Sequence, residues 1–263
     1  MDLHLKEKRA LIAGASRGLG YATARGLALE GCRAAINSRN PDMLTASASK
    51  LAQETGSDVY PIPGNVADPA TAETILKDAV ARLGGIDLLV TNAGGPPAGK
   101  FESFDDATWQ QAVEFSLLSH VRLIRAALPF LRESPCASVL TITSYSVKQP
   151  IPNLVLSNSV RAATVGLTKS LALELGQDGI RFNSILPGWT ETERVQELMS
   201  HRARMNNTSI EEEIARQAKD SPLGRMGKPE EFANAAVFLL SPAASYITGV
   251  MLTVDGGMYK GTL

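Results

Sequence analysis

The sequence has few cysteines, few aromatic residues and no excess of charge of either sign. Its 263 residues include two cysteines and 5% aromatic residues, and 26 Lys and Arg residues are set against 27 Asp and Glu residues. Cys32 and Cys136 are far apart and have no second Cys or His at metal-ligand spacing, so we expect buried free thiols and no metal site. The balanced charge argues against a nucleic-acid-binding protein, since such proteins carry a basic surface.

Long hydrophobic runs are also missing. No window approaches the roughly 18 apolar residues that a membrane span needs, and the N-terminal residues contain no apolar segment of signal-peptide length. We therefore expect a cytoplasmic protein that does not bind membranes. Hydrophobic residues make up 44% of the chain, which is enough for one sizeable core, and the length fits a single α/β domain spanning residues 1–263.

Short apolar runs alternate with longer segments of helical period. This alternation is typical of repeated βα units, in which helices cover both faces of a parallel sheet. Helices are expected between the strands, and those at residues 41–54, 69–83 and 229–240 are expected to begin with a proline, which fits a first helical turn. The expected strands are Arg9 to Ala13, Arg33 to Asn37, Val59 to Pro63, Ile86 to Thr91, Ser138 to Thr143, Arg181 to Leu186 and Val250 to Val254.

Two segments suggest contacts beyond this regular pattern. Residues 157–175 have apolar side chains around most of a helical circumference, which predicts burial on two sides, one of them against a second subunit. Residues 191–219 are rich in Glu and Arg and interrupt the alternation, so we expect a helical insertion at about 190–220 over the strand ends, acting as a mobile lid. A second interpretation is a site for an anionic carrier, using the basic residues Arg194, His201, Arg202 and Arg204.

A glycine-rich loop follows the first expected strand and precedes an alanine-rich helical segment. Its spacing, Gly-x-x-x-Gly-x-Gly, lets the turn tighten, lets backbone N–H groups approach a diphosphate and lets the helix pack closely on its strand. A glycine cluster alone is a weak signal, but its position at the end of a strand favours nucleotide binding. The loop residues expected to bind the cofactor are Gly14, Ser16, Arg17, Gly18, Leu19 and Gly20.

The residues after the second strand indicate which nicotinamide cofactor is bound. Proteins selective for NAD place an acid there, on the ribose diol, whereas this chain has Ser38 followed by Arg39. Arg17 and Arg39 can hold a 2′-phosphate by charge-assisted hydrogen bonds, which a carboxylate would prevent. The sequence therefore predicts NADP(H).

Several motifs in a fixed order resemble those of the short-chain dehydrogenase/reductase family, and within it the 3-oxoacyl-[acyl-carrier-protein] reductases. They are Gly14-x-x-x-Gly18-x-Gly20, Asn92-Ala93-Gly94, a strand ending at Ser144, Pro187-Gly188 and the C-terminal Val254-Asp255-Gly256-Gly257. The resemblance implies a doubly wound sheet of seven parallel strands in the order 3-2-1-4-5-6-7, and a homotetramer or dimer. It also implies further cofactor contacts from Asn65, Val66, Asn92, Ala93, Gly94, Pro187, Gly188, Thr190 and Thr192.

The match fails at the catalytic positions. The family uses Ser, Tyr and Lys together with a helical Asn, and here only Ser144 matches. The tyrosine position is Ser157, the lysine position is Arg161 and the asparagine position is Ser116. Tyr145 is the one nearby phenol, and we expect it to point away, because adjacent strand residues face opposite sides.

These replacements change the chemistry that the site can perform. A serine hydroxyl is a far weaker acid than a phenol of pKa about 10, and Arg161 stays protonated, so it can hold the cofactor ribose and stabilise negative charge but cannot relay a proton. We expect an NADP(H)-dependent reductase of a 3-oxoacyl thioester, ketone or imine at an atypical site, acting on a small-molecule or carrier-bound substrate. The alternative is a redox-silent nucleotide-binding protein.

Overall fold

Seven parallel strands form one sheet in the order β3-β2-β1-β4-β5-β6-β7, as the resemblance implies. The computed structural model describes residues 1–262 of the chain. Strands β4 and β5 are buried along their whole length, which explains their continuous apolar character. The strands are β1 (Arg9–Ile12), β2 (Arg33–Ser38), β3 (Val59–Pro63), β4 (Leu88–Thr91), β5 (Ser138–Ile142), β6 (Arg181–Pro187) and β7 (Met251–Val254).

Helices cover both faces of the sheet. One face packs against α3, α5 and α6, and the other against α1, α2 and α9, each over its own apolar cluster. The chain reverses its direction of winding between β1 and β4, where open α/β sheets form a ligand-binding crevice. The helices are α1 (Gly18–Leu29), α2 (Pro41–Thr55), α3 (Ala72–Leu83), α4 (Asp106–Val113), α5 (Ser119–Arg132), α6 (Val155–Glu174), α7 (Glu193–Asn206), α8 (Ile210–Ala218) and α9 (Pro229–Leu240).

All seven expected strands are present, with ends within two residues of the expected ones, but the expected start of α3 is wrong. The helix begins at Ala72 and not at Pro69. The intervening residues form a turn in which the Asp68 carbonyl accepts from the Thr71 N–H and the Asp68 carboxylate accepts from the Ala70 N–H. These bonds satisfy the local backbone before the helix starts, so the proline belongs to the turn.

The segment after β6 folds as two helices over a third apolar cluster. The side chain of Thr192 caps the start of α7, and Ser209 and Glu212 form a capping box at the start of α8. The buried carboxylate of Glu213 accepts from Thr208 at 2.7 Å and from Asn206 at 3.0 Å, which ties the two helices together. The buried members of the cluster beneath are Tyr145, Leu186, Trp189, Met199, Met226 and Met258.

Residues 1–262 contain neither a membrane-spanning helix nor a metal-binding cluster. No helix in this range is long and apolar enough to cross a bilayer. No group of three or more His, Cys, Asp or Glu residues in the same range is placed to hold a metal ion. Cys32 and Cys136 are free thiols, but only Cys32 is buried as expected, and Cys136 is partly exposed. Burial raises the pKa of Cys32 to about 12, so this thiol is unreactive.

Candidate functional site

A cleft of about 490 Å³ lies at the carboxyl ends of the strands, across the point where the winding reverses. Its volume lies within the range of small-molecule and cofactor sites. It brings together sixteen of the residues expected to bind the cofactor: Gly14, Ser16, Arg17, Gly18, Leu19, Ser38, Arg39, Val66, Asn92, Ala93, Gly94, Arg161, Pro187, Gly188, Thr190 and Thr192. Gly20 and Asn65 do not line it.

The glycine-rich loop is shaped as a diphosphate site requires. Gly14 and Gly18 both have φ of +61°, a left-handed conformation that glycine adopts without strain. A Cβ on Gly20 would collide with the carbonyl oxygen of Gly14, so this third glycine allows α1 to pack against the loop. No side chain caps the start of α1, and its free N–H groups face the cleft end of the helix, where anions bind. The loop therefore fits a dinucleotide.

The adenine end of the cleft carries two arginines. The guanidinium of Arg39 lies 5.7 Å from the centre of the Phe115 ring, and Ser38 lies at the end of β2. Arg17 is engaged by the protein itself, since its Nη1 is 3.2 Å from Oε1 of Glu197 on α7. Both partners of this ion pair are about half exposed, so water and salt weaken it. A 2′-phosphate can compete for Arg17.

Asn65 stabilises the loop after β3 through its hydrogen bonds. Its side-chain oxygen accepts from the backbone N–H of Ala67 at 3.2 Å, and its carbonyl accepts from the hydroxyl of Thr71. Asn65 therefore shapes the turn that places Val66 in the cleft. Its pairing with an adenine edge stays a prediction.

Arg161 occupies the centre of the site and is buried. Its Nη1 donates to the carbonyls of Ile142 at 3.3 Å and Thr143 at 3.1 Å, and its Nη2 donates to the carbonyl of Gly94 at 3.4 Å. Its Nε donates to Oγ of Ser157 at 3.2 Å. An arginine has five N–H donors, so these contacts leave one for a ligand. Arg161 joins the ends of β4 and β5, which form the floor of the cleft.

No carboxylate within residues 1–262 forms an ion pair with Arg161. Burial, and then the positive charge of Arg194, lower the pKa of Arg161 to about 10, so the guanidinium stays protonated at neutral pH. The site thus holds a buried positive charge that only backbone carbonyls and a hydroxyl stabilise. Such a charge favours negative charge that develops nearby.

The serines at the other catalytic positions differ in their placement. Ser157 is half-buried beside Arg161, and Ser144 follows Thr143, a residue that lines the cleft. The Ser144 hydroxyl oxygen accepts from the backbone N–H of Ser146 at 3.1 Å, which leaves its own hydrogen free to donate to a substrate. The structure brings Arg161 and Ser157 into contact, but of the two only Arg161 lines the cleft, and Ser144 does not line it either.

Ser116 lies deeper, in a π-helical turn at Glu114–Leu118 that links α4 to α5. Its carbonyl accepts from the hydroxyl of Thr164 at 2.6 Å, while its own hydroxyl is buried without a hydrogen-bond partner among the described residues. One turn later, Nδ1 of the buried His120 is 2.7 Å from Oγ1 of Thr91. Burial, and then the charge of Arg161, lower the pKa of His120 to about 3, so this ring is neutral at physiological pH.

Tyr145 does not line the cleft. It begins a 3₁₀ turn at Tyr145–Val147 and packs in the apolar cluster under α7 and α8. It points away from the cleft, but strand alternation is not the reason: β5 ends at Ile142, so the turn and not the pleat sets its direction. Burial raises the pKa of Tyr145.

Sequence reasoning missed several residues of the site. Phe115 immediately precedes the expected catalytic position Ser116, and His120 lies one helical turn beyond it, so helical spacing was the available signal. Glu193 and Val195 flank Arg194 in the lining of the cleft. Of the other basic residues expected to form a carrier site, Arg202 stacks over Trp189 at 4.8 Å, Arg204 donates to Ser200 at 3.3 Å, and His201 is exposed.

The chain is similar to known oxidoreductases over almost its whole length. The family model described as enoyl-(acyl carrier protein) reductase matches residues 14–259. A 3-oxoacyl-[acyl-carrier-protein] reductase of Salmonella typhimurium is 33% identical over 254 residues, which cover 96% of this chain and 97% of the relative. The crystal structure of L-sorbose reductase from Gluconobacter frateurii, complexed with NADPH and L-sorbose, has a TM-score of 0.95 and 32% identity over 99% of this chain and 100% of that chain.

A further solved structure is similar over almost the whole chain. It is the NADPH-bound short-chain oxidoreductase from Pseudomonas aeruginosa PAO1, described as containing an atypical catalytic center. Its TM-score is 0.89, with 29% identity over 98% of this chain and 99% of that chain. The family match, the relatives and the sheet order lead to one conclusion: the chain belongs to the short-chain dehydrogenase/reductase family.

Proposed function

We propose that this protein is an NADP(H)-dependent reductase of a carbonyl or imine whose catalytic centre works without a tyrosine. The observation that carries the proposal is Arg161, a buried guanidinium with one free donor in a cleft shaped for a dinucleotide. The NADPH-bound reductases of the same fold support the cofactor. The neighbour with an atypical catalytic center supports a departure from the usual residues.

The chain's own residues fit this cofactor. Arg17, Ser38 and Arg39 would hold the 2′-phosphate, and the loop and the start of α1 would hold the diphosphate. The residues from β6 onward, Pro187 to Thr192, would meet the nicotinamide end. When bound, the cofactor supplies a hydride.

Within this site each side chain has a role that its chemistry permits. Ser144 orients the substrate oxygen, and the charge of Arg161 stabilises negative charge on that oxygen. Ser157 supports the guanidinium, to which it is bonded at 3.2 Å, and does not serve as the main acid. The proton comes from water, the cofactor ribose or the substrate, and an imine that is already protonated needs no acid from the protein.

Residues 190–220 form the lid over this site. The start of α7 lines the cleft through Glu193, Arg194 and Val195, while the rest of the segment covers the apolar cluster that contains Tyr145. This arrangement suits a segment that closes over bound ligands. Hydrogen exchange in α7 and α8 should slow when NADPH and substrate bind, and unchanged exchange would contradict a lid.

The outer face of α6 supports a homo-oligomer. Leu173 is 75% exposed, and the same face presents small residues, Ala162, Ala163 and Gly166, which let another helix approach closely. We propose that this face meets a second subunit, in a dimer or a tetramer. Light scattering of the wild type and of Leu173→Glu tests the contact, because a buried glutamate would weaken the assembly.

A redox-silent nucleotide-binding protein is the second candidate, and one observation favours it. Four of the five donors of Arg161 are bonded to the protein itself, as in a purely structural brace. NADPH oxidation, measured across ketones, 3-oxoacyl thioesters, quinones and imines, separates the two. Turnover of any substrate supports the reductase. If the wild type shows none and Ser157→Tyr with Arg161→Lys gains ketone reduction, the redox-silent candidate is correct.

A further inference from the structure

One carboxylate of the lid bridges two arginines at the mouth of the cleft. Oε1 of Glu197 lies 3.2 Å from Nη1 of Arg17 in the glycine-rich loop, and Oε2 lies 3.5 Å from Nη1 of Arg194 on its own helix. All three side chains are about half exposed. The bridge therefore links the phosphate-binding loop to the first turn of α7.

The position of Arg194 relates it to the diphosphate end of the cleft. It follows Glu193, whose carboxylate lies beside Gly18 at the start of α1, and both residues line the cleft together with the loop. The start of α1 is the place where a diphosphate would bind. Arg194 thus lines the same cleft as the loop, and the carboxylate of Glu197 connects it to Arg17.

The charged residues that line the cleft favour the binding of anions. Four arginines line it, Arg17, Arg39, Arg161 and Arg194, against a single lining acid, Glu193. Arg17 is the arginine expected to hold a 2′-phosphate, and it is bonded to Glu197. A bound cofactor would bring a phosphate to each end of the bridge, and both phosphates would compete with the same carboxylate for their arginines.

We propose that Glu197 is an electrostatic latch: it holds Arg17 and Arg194 in the cofactor-free protein and gives them up to the 2′-phosphate and the diphosphate of NADP(H). Arg194 is then a diphosphate-binding residue, and cofactor binding is coupled to movement of α7. The inference rests on the proposed function only for the identity of the cofactor. It concerns binding, so turnover is not needed to test it.

Two fragments of the cofactor separate the two ends of the latch. Adenosine 2′-phosphate carries only the phosphate expected at Arg17, and ADP-ribose carries only the diphosphate expected at Arg194. Their affinities are measured by competition against NADPH fluorescence at low salt, where exposed charges are least screened. Arg194→Gln should weaken the binding of ADP-ribose about tenfold and leave the affinity for adenosine 2′-phosphate unchanged. Arg17→Gln should weaken the binding of adenosine 2′-phosphate about tenfold and leave the affinity for ADP-ribose unchanged.

Removing the Glu197 carboxylate should strengthen cofactor binding, whereas removing either arginine should weaken it. Glu197→Gln should tighten NADPH about twofold to fivefold, because an exposed ion pair no longer competes, and this gain should vanish in the Arg17→Gln, Arg194→Gln background. Arg204→Gln, on the same helix and away from the cleft, is the matched control and should leave the affinity for NADPH and for both fragments unchanged.

The latch is refuted if Glu197→Gln leaves NADPH affinity unchanged or lowers it. The assignment of Arg194 is refuted if Arg194→Gln affects both fragments equally or neither. Failure of the proposed function looks different: the fragments and variants behave as described, but no carbonyl or imine oxidises NADPH.

Discussion

Replacing Arg161 by methionine should lower both stability and cofactor affinity. The change leaves the carbonyls of Ile142, Thr143 and Gly94 without their donor, and each lost hydrogen bond is worth about 1 kcal/mol. We expect a loss of about 3 kcal/mol in the free energy of unfolding. For a domain of this size such a loss lowers Tm by roughly 6 to 12 °C.

The same variant should bind NADPH more weakly, because in the proposed site the remaining donor of Arg161 would make one charge-assisted bond to the cofactor. One such bond corresponds to about 1.5 to 3 kcal/mol, or roughly tenfold to a hundredfold in Kd. Thermal unfolding followed by circular dichroism measures the first effect. Fluorescence titration with NADPH, at a temperature where the variant is folded, measures the second.

Arg181 provides a matched control for these two effects. It is another arginine whose pKa burial lowers, and it donates to the carbonyls of Leu239, Leu240, Ser241 and Ile247 at the end of α9, away from the cleft. Arg181→Met should cost similar stability and leave NADPH affinity unchanged. If Arg161→Met melts within about 2 °C of the wild type, or if both variants weaken NADPH equally, the role given to Arg161 is wrong.

The remaining predictions concern the proton, the cofactor and acid stability. Ser157→Ala should lower kcat/KM only about tenfold, whereas loss of a general acid lowers the rate about 10² to 10⁴-fold. Tyr145→Phe should have little effect on kcat/KM. A hundredfold fall in kcat/KM for either variant would identify that residue as the acid. Arg39→Ala should weaken the binding of NADPH at least about tenfold and leave the affinity for NADH unchanged in parallel titrations. Equal losses of affinity for both cofactors would contradict the proposal that Arg39 binds the 2′-phosphate. Burial alone would raise the pKa of Asp87, but hydrogen bonds from Arg9 and Ser134 outweigh burial, so the pKa is lowered. The ionised carboxylate therefore stabilises the folded protein fully above pH about 4, and this stabilisation should be lost as pH falls further. Asp87→Ala should therefore cost about 3 kcal/mol at pH 7 by urea unfolding and progressively less as pH falls below about 4, and a cost that does not change with pH would contradict this.

The sequence predicted the scaffold well because its signals are local. Apolar runs such as β4 and β5 are buried on both faces, and glycines such as Gly14 mark a backbone shape that few other residues adopt. The family resemblance, confirmed by the family match, supplied the strand order, which no local pattern contains. The start of α3 was wrong because Pro69 fits a first helical turn as well as it fits the turn that precedes one.

The lining of the cleft was predicted more completely than the surroundings of Arg161. Its residues follow strand ends, and parallel strands bring their carboxyl ends to one edge. The partners of Arg161, by contrast, come from Gly94, Ile142 and Thr143, which are distant in sequence and act through backbone carbonyls, so no side-chain pattern could reveal them. The bridge from Arg17 to Glu197 spans 180 residues and depends on how α7 lies over the loop.

The central claim is that a site without the family's tyrosine still transfers hydride. The most direct measurement uses NADPH in which both hydrogens at C4 of the nicotinamide are replaced by deuterium. It is incubated with the wild type and each substrate of the carbonyl and imine panel, and the products are examined by mass spectrometry. We predict at least one product that carries one deuterium at the former carbonyl or imine carbon, formed by the wild type and also, about tenfold more slowly, by Ser157→Ala. Absence of label in every product of the wild type, under conditions where NADPH is bound, would contradict it.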